Sequence, residues 1–138
     1  MKTKAVVVDT NLLFSALIPR ASKIREYLLK PDVTFYAPNF LITEIYAHKE
    51  KLLLLSKLTE DEFYLFFDGL IERIKFLPIS FISKESKQKA YELCKDIDVK
   101  DTPFVALAIQ LNLPLWTGDK QLKQGLIAKG YDKFLGTI

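Results

Sequence analysis

Short apolar runs alternate with longer amphipathic segments along the whole of this chain. The runs at residues 5–8, 33–37, 75–77 and 115–117 predict strands, because they are brief, rich in β-branched or aromatic residues and bounded by turn formers. The first run is uninterrupted, which is typical of a central strand covered on both faces. Strands alternating with helices predict an α/β fold, a three-layer α/β/α sandwich with a mostly parallel central sheet.

Apolar residues spaced by three or four positions, with cap residues at the segment ends, predict the helices. The predicted helices cover residues 12–17, 22–30, 40–55, 63–74, 84–95, 102–109 and 120–129. An additional edge strand is predicted at residues 134–135.

A single apolar stripe runs along residues 40–55, so we predict one continuous helix there. The stripe consists of Leu41, Ile45, His48, Leu52 and Leu55. We expect this helix to pair antiparallel with the one at 63–74. Their combined apolar surface is generous for a small domain, so we expect a partner to cover part of it.

Length and composition limit the number of domains and the kinds of disulfide and metal site that the chain can form. The length of 138 residues, 49% of them hydrophobic, suits one domain spanning 1–138. Cys94 and His48 are the only residues of their types, which excludes an intramolecular disulfide and a Cys/His zinc cage within one chain. The net charge of +3 favours approach to a polyanion without identifying one. The first apolar run breaks at Asp9 and no segment is long enough to span a membrane, so we expect a cytoplasmic protein.

Four acids occupy positions where a parallel sheet gathers ligands. Asp9 and Asp119 each follow an apolar strand directly, and Asp101 stands at a helix start. Glu44 lies one turn into a helix that follows a strand. Because the carboxyl ends of parallel strands meet at one edge of the sheet, we expect all four to face one crevice.

Clustered carboxylates raise one another's pKa unless a cation keeps them ionised. Mg²⁺ or Mn²⁺ prefers carboxylate and water oxygens, and such ions activate water for displacement at a phosphodiester. The pattern therefore favours an oxygen-liganded divalent metal site.

Each acid also has an ordinary structural explanation. Asp9 suits an Asx turn or a helix cap, and Asp101 and Asp119 suit N-caps. Glu44 borders the apolar stripe, where polar residues often point to solvent. Asp98 is a further acid that could share the role assigned to Asp101.

Neighbouring residues have similar alternatives. Asn11 and Thr117 either orient ligands by hydrogen bonds or are ordinary turn residues. We expect His48 and Cys94 to be structural, and Trp116 to lie in the core.

Four short segments, in this order and at these spacings, resemble one known family. They are VVVDTN at 6–11, FLITE at 40–44, DTPFVALA at 101–108 and LWTGD at 115–119. From about residue 4 to residue 135 the chain is similar to the PIN domain, a family that includes VapC-type toxins of prokaryotic toxin–antitoxin pairs and related metal-dependent ribonucleases.

The resemblance implies Mg²⁺ or Mn²⁺ ligands, which also carry the catalysis, at Asp9, Glu44, Asp101 and Asp119, with Asn11 and Thr117 in support. The implied reaction is hydrolysis of RNA phosphodiester bonds by metal-activated water. The resemblance also implies a homodimer or higher homo-oligomer and a small antitoxin partner, and the apolar helices within residues 52–70 could supply either contact.

Lysines around the acidic crevice are candidates for contacts to the RNA backbone, although exposed lysines are usually only solvated. The candidates are Lys49, Lys100, Lys120 and Lys123.

Other readings fit less well. A phosphatase of the haloacid-dehalogenase type requires an acid two residues after Asp9, where this sequence has Asn11. A receiver domain requires an acidic phosphoacceptor at the end of the third strand, and residues 75–78 contain no acid. A catalytically silent PIN-like module that binds RNA or protein is the non-enzymatic alternative, because ligand residues do not guarantee activity.

Overall fold

A computed structural model describes residues 4–18 and 22–136, without the side chain of Ser22. Its described strands form one parallel sheet in the order β3-β2-β1-β4. The strands are β1 (Lys4–Val8), β2 (Val33–Pro38), β3 (Ile74–Leu77) and β4 (Leu115–Trp116). The predicted α/β architecture with a parallel central sheet flanked by helices is confirmed.

The α-helices within the described ranges occupy the connections between strands and the segment after β4. They are α1 (Thr10–Leu17), α2 (Ser22–Leu28), α3 (Phe40–Ala47), α4 (Lys49–Ser56), α5 (Glu60–Glu72), α6 (Lys84–Cys94), α7 (Thr102–Leu111) and α8 (Lys120–Ala128). None of these helices is long and apolar enough to cross a membrane.

The valine run of β1 is the centre of the core. Val6, Val7 and Val8 are fully buried, and β1 hydrogen-bonds to β2 on one side and to β4 on the other. Helix α7 packs against β1, β2 and β4, which explains why nearly all of its first two turns are small or apolar. Trp116 is buried, as predicted, and Cys94 is buried as well.

The segment predicted as one helix at 40–55 is two helices, so that prediction was wrong. The break falls at His48, whose N–H is shared between the carbonyl groups of Glu44 and Ile45. A straight helix would place His48 on the buried stripe, where an imidazole without a partner is costly. The break leaves His48 exposed with its ring edge-on to Phe14, while Leu52 remains buried.

The remaining differences are at element ends. The edge strand predicted at 134–135 is a single bridge between Phe134 and Leu115. The helix predicted at 63–74 begins earlier, at Glu60, because the Thr59 hydroxyl and the Glu62 carboxylate form a capping box. The last residue of that prediction, Ile74, belongs to β3 instead.

Candidate active site

Asp9 and Asp119 lie at the ends of neighbouring strands. The N–H of Asp9 donates to the carbonyl oxygen of Trp116 over 3.4 Å, which joins the ends of β1 and β4. Each aspartate also caps the helix that follows it: Asp9 Oδ1 accepts from Leu12 N–H at 2.9 Å, and Asp119 Oδ1 accepts from Leu122 N–H at 3.1 Å. The helix-cap explanation is therefore correct for both residues, and it accounts for only one oxygen of each carboxylate.

Asp9 is almost completely buried, with 1% of its surface exposed. Its second oxygen, Oδ2, has no hydrogen-bond partner among the described residues. The pKa of Asp9 is raised to about 6, and burial is the largest cause. The charges of Asp119 and Glu44 also raise this pKa, while the Thr117 hydroxyl and the Leu12 N–H oppose the increase. An acid is thus held in the core without full compensation of its charge.

Asp101 differs from the other two aspartates because its side chain caps no helix. Its backbone is helical, no cap hydrogen bond forms at the start of α7, and its buried Oδ2 has no partner within the described part of the chain. The N-cap explanation is therefore wrong for Asp101. Burial raises its pKa to about 7, and the charges of Asp98, Asp9, Asp119 and Glu44 contribute.

Glu44 is half-buried on α3 and is held by a residue that the sequence analysis did not single out. The Thr10 hydroxyl, at the first position of α1, donates a short hydrogen bond to Glu44 Oε1. Thr10 itself is buried beside Asp9. The sequence signal that could have identified Thr10 is its position directly after Asp9, where a hydroxyl side chain lies in the same crevice as the acid.

The two predicted supporting residues lie in different environments. Thr117 Oγ1 accepts from Asp119 N–H at 3.0 Å, and its hydroxyl also acts on the pKa of Asp9. Asn11 is exposed and lines a groove beside α1 together with Gly118. Thr117 therefore connects two of the acids, whereas Asn11 faces outward.

Comparison with known proteins identifies the family. A family model described as PIN domain matches residues 7–135. The chain belongs to the PIN domain family. No curated protein matches the sequence significantly.

Two solved structures resemble this PIN domain. PAE2754 from Pyrobaculum aerophilum aligns with a TM-score of 0.62 at 13% identity, covering 89% of this chain and 80% of that one. VapBC2 from Rickettsia felis, solved bound to a DNA fragment from their promoter, aligns with a TM-score of 0.61 at 17% identity, covering 87% and 92%. At these identities the similarity concerns the fold.

The donor set of this PIN domain fits a hard divalent cation by its chemistry. Asp9 and Asp101 each present a buried oxygen that has no hydrogen-bond partner among the described residues, and carboxylate oxygens are what Mg²⁺ and Mn²⁺ prefer. Neighbouring acids contribute to the raised pKa of both aspartates. Within residues 4–18 and 22–136, however, no three acids are placed to hold one ion, so a shared ion would require side-chain rearrangement.

The predicted phosphate-binding lysines lie in separate places. Lys49 Nζ is 4.7 Å from the centre of the Tyr64 ring, and Lys123 Nζ is 5.5 Å from that of Phe134. Lys100 and Lys120 are exposed. Their contacts to nucleic acid stay predictions.

The raised pKa of Asp101 predicts how stability depends on pH without metal. The folded state binds this proton more tightly than the unfolded state, so the free energy of unfolding should increase as pH falls from about 7 to about 4. Asp101→Asn removes the effect, and we expect it to stabilise the protein at pH 8 in EDTA by about 1–2 kcal/mol, allowing for solvent screening at this part-exposed site. Urea unfolding across this pH range measures the difference.

Asp96→Asn is the control, because the ion pair with Lys129 lowers the pKa of this exposed acid. The contribution of Asp96 to stability is therefore lost, not gained, as pH falls. Parallel pH profiles for the parent and Asp101→Asn would contradict the expectation.

Proposed function

We propose that this PIN domain is a metal-dependent ribonuclease that hydrolyses RNA phosphodiester bonds. The observation that carries the proposal is a pair of buried carboxylate oxygens, on Asp9 and Asp101, that have no hydrogen-bond partner in the described part of the chain. Burial and the charges of neighbouring acids raise the pKa of both aspartates. Such an arrangement is unfavourable on its own and becomes favourable when a divalent cation neutralises it.

In this proposal Asp9, Glu44, Asp101 and Asp119 hold Mg²⁺ or Mn²⁺. The ion would supply an activated water and neutralise charge on the phosphate. The chain's own groups orient the ligands: the N-termini of α1 and α8 fix Oδ1 of Asp9 and Asp119 and leave Oδ2 available. The Thr10 hydroxyl positions Glu44 in the same way.

We further propose that the protein is the toxin of a VapBC-type toxin–antitoxin pair. The fold similarity to VapBC2 from Rickettsia felis and membership of the PIN family support this assignment. The net charge of +3 favours approach of RNA to the protein despite the acids.

A catalytically silent module that binds RNA or protein is the second candidate. The observation in its favour is that no three acids in the described ranges are close enough to share an ion. A module of this kind would bind RNA in the absence of metal and leave it intact.

Asp101→Asn should lower the rate of RNA cleavage by at least about 100-fold, since losing one ligand removes about 3 kcal/mol of stabilisation from the transition state. The assay uses end-labelled structured RNAs and single-stranded DNA with Mn²⁺, Mg²⁺ or EDTA. We expect cleavage of RNA by the parent with metal only.

Asp98→Asn is the matched control for this assay. Asp98 is exposed and its carboxylate caps Lys100 N–H, so its removal should change the rate less than about threefold. If Asp98→Asn abolishes cleavage and Asp101→Asn does not, the third ligand is misassigned. If the parent binds RNA without cleaving it, the silent module is correct.

An exposed apolar surface on α4 and α5 supports the proposed protein partners. Leu54 on α4 is 80% exposed and Leu65 on α5 is 78% exposed, and Leu58, between the two helices, is also exposed. Large apolar patches on a protein surface commonly mark sites of protein interaction. We propose that this surface forms the homodimer or contacts the antitoxin.

Leu54→Glu with Leu65→Glu should convert the dimer to a monomer, because the substitutions place charges in an apolar interface and both side chains are already outside the core. Multi-angle light scattering measures the mass. Ile127→Glu on α8 is the control and should leave the dimer intact. A monomeric parent at high concentration would refute the dimer.

A further inference from the structure

A groove of about 530 Å³ runs between α1 and α4. Helix α1 contributes Asn11, Phe14 and Ser15 to its wall, and the opposite wall includes His48, Lys51 and Leu55. The volume lies within the range of about 300–1,000 Å³ typical of ligand clefts. The break between α3 and α4 falls at His48, and His48 and Lys51 are both exposed in this wall.

The groove borders the turns that carry two of the four acids. Asn11 is two residues from Asp9, and Gly118 directly precedes Asp119. A Cβ at Gly118 would meet no atom within 4 Å, so the space beside this residue is open. A chain lying in the groove would therefore pass beside the residues that adjoin Asp9 and Asp119.

The chemistry of the groove suits alternating bases and phosphates. None of its described lining residues is acidic, and Lys51 provides an exposed ammonium group. The Phe14 and His48 rings meet edge-on with 5.6 Å between centroids, beside the aliphatic side chain of Leu55. Single-stranded nucleic acid is bound by this combination of a cation for the backbone and aromatic surfaces for the bases.

We propose that this groove binds the single-stranded segment of RNA that adjoins the cleaved phosphate. Lys51 contacts a backbone phosphate, and the Phe14–His48 corner packs against a base. The inference rests on the proposed nuclease function for the position of the cleaved bond. It assigns the principal phosphate contact to Lys51, whose neighbour Lys49 instead lies over Tyr64.

The test is fluorescence anisotropy of a labelled single-stranded RNA oligonucleotide with full-length protein in EDTA, on the Asp101→Asn background so that no cleavage occurs. Lys51→Ala should weaken binding about five- to tenfold at low salt and reduce the slope of log Kd against log salt by about 0.7, the value for one phosphate contact on a single strand. His48→Ala should weaken binding about fivefold with an unchanged slope.

Two variants keep the test specific. Lys51→Arg should retain the binding and the slope, because the charge is preserved. Lys89→Ala removes the same charge from the exposed face of α6, outside the groove, and should change neither quantity. Equal effects of Lys51→Ala and Lys89→Ala, or no binding of RNA at all, would overturn the inference.

The outcome is distinguishable from that of the nuclease proposal. Binding that depends on Lys51, in a parent that cleaves nothing with Mn²⁺, supports the groove and refutes the enzyme. Cleavage by the parent that is unaffected by Lys51→Ala and His48→Ala supports the enzyme and overturns the groove. A groove occupied by a protein partner alone would likewise fail to bind the oligonucleotide.

Discussion

The burial of carboxylate charge at the end of the central strand is the constraint on which the site depends. Val6 to Val8 are buried on both faces of the sheet, so the next residue, Asp9, enters the core with them. Burial and neighbouring acids raise the pKa of Asp9 and of Asp101 well above the ordinary value for aspartate. The fold thus carries a local cost in stability that a bound cation would offset.

The surrounding helices reduce this cost without removing it. Helix N-termini bind Oδ1 of Asp9 and Asp119, where the partial positive charge of the helix also favours an anion. Thr10 and Thr117 add hydroxyl groups within the crevice. All of these groups come from the turns that follow β1 and β4, so the parallel order of the sheet determines both the location of the acids and their partial stabilisation.

Much of this arrangement could be predicted from local pattern. The valine run and the capping residues each act through neighbours in sequence, and the alternation of strands with helices predicted the α/β fold. The PIN family was implied by the resemblance of four short segments, and the family model confirms it. The break at His48 could not be predicted, because the apolar periodicity continues through it, and the cost of burying an imidazole depends on tertiary packing rather than on local sequence. The Thr10–Glu44 hydrogen bond and the α1–α4 groove join residues distant in sequence, so neither produces a local pattern.

We propose that a divalent cation takes the place of protons on these acids. Calorimetric titration of Mn²⁺ at pH 6.5, repeated in two buffers of different ionisation enthalpy, measures both binding and the protons released. We expect binding to release protons from Asp9 and Asp101, and we expect Asp101→Asn to weaken binding at least about tenfold and to release fewer protons. Absence of Mn²⁺ binding, or binding without proton release that Asp101→Asn leaves unchanged, would contradict it.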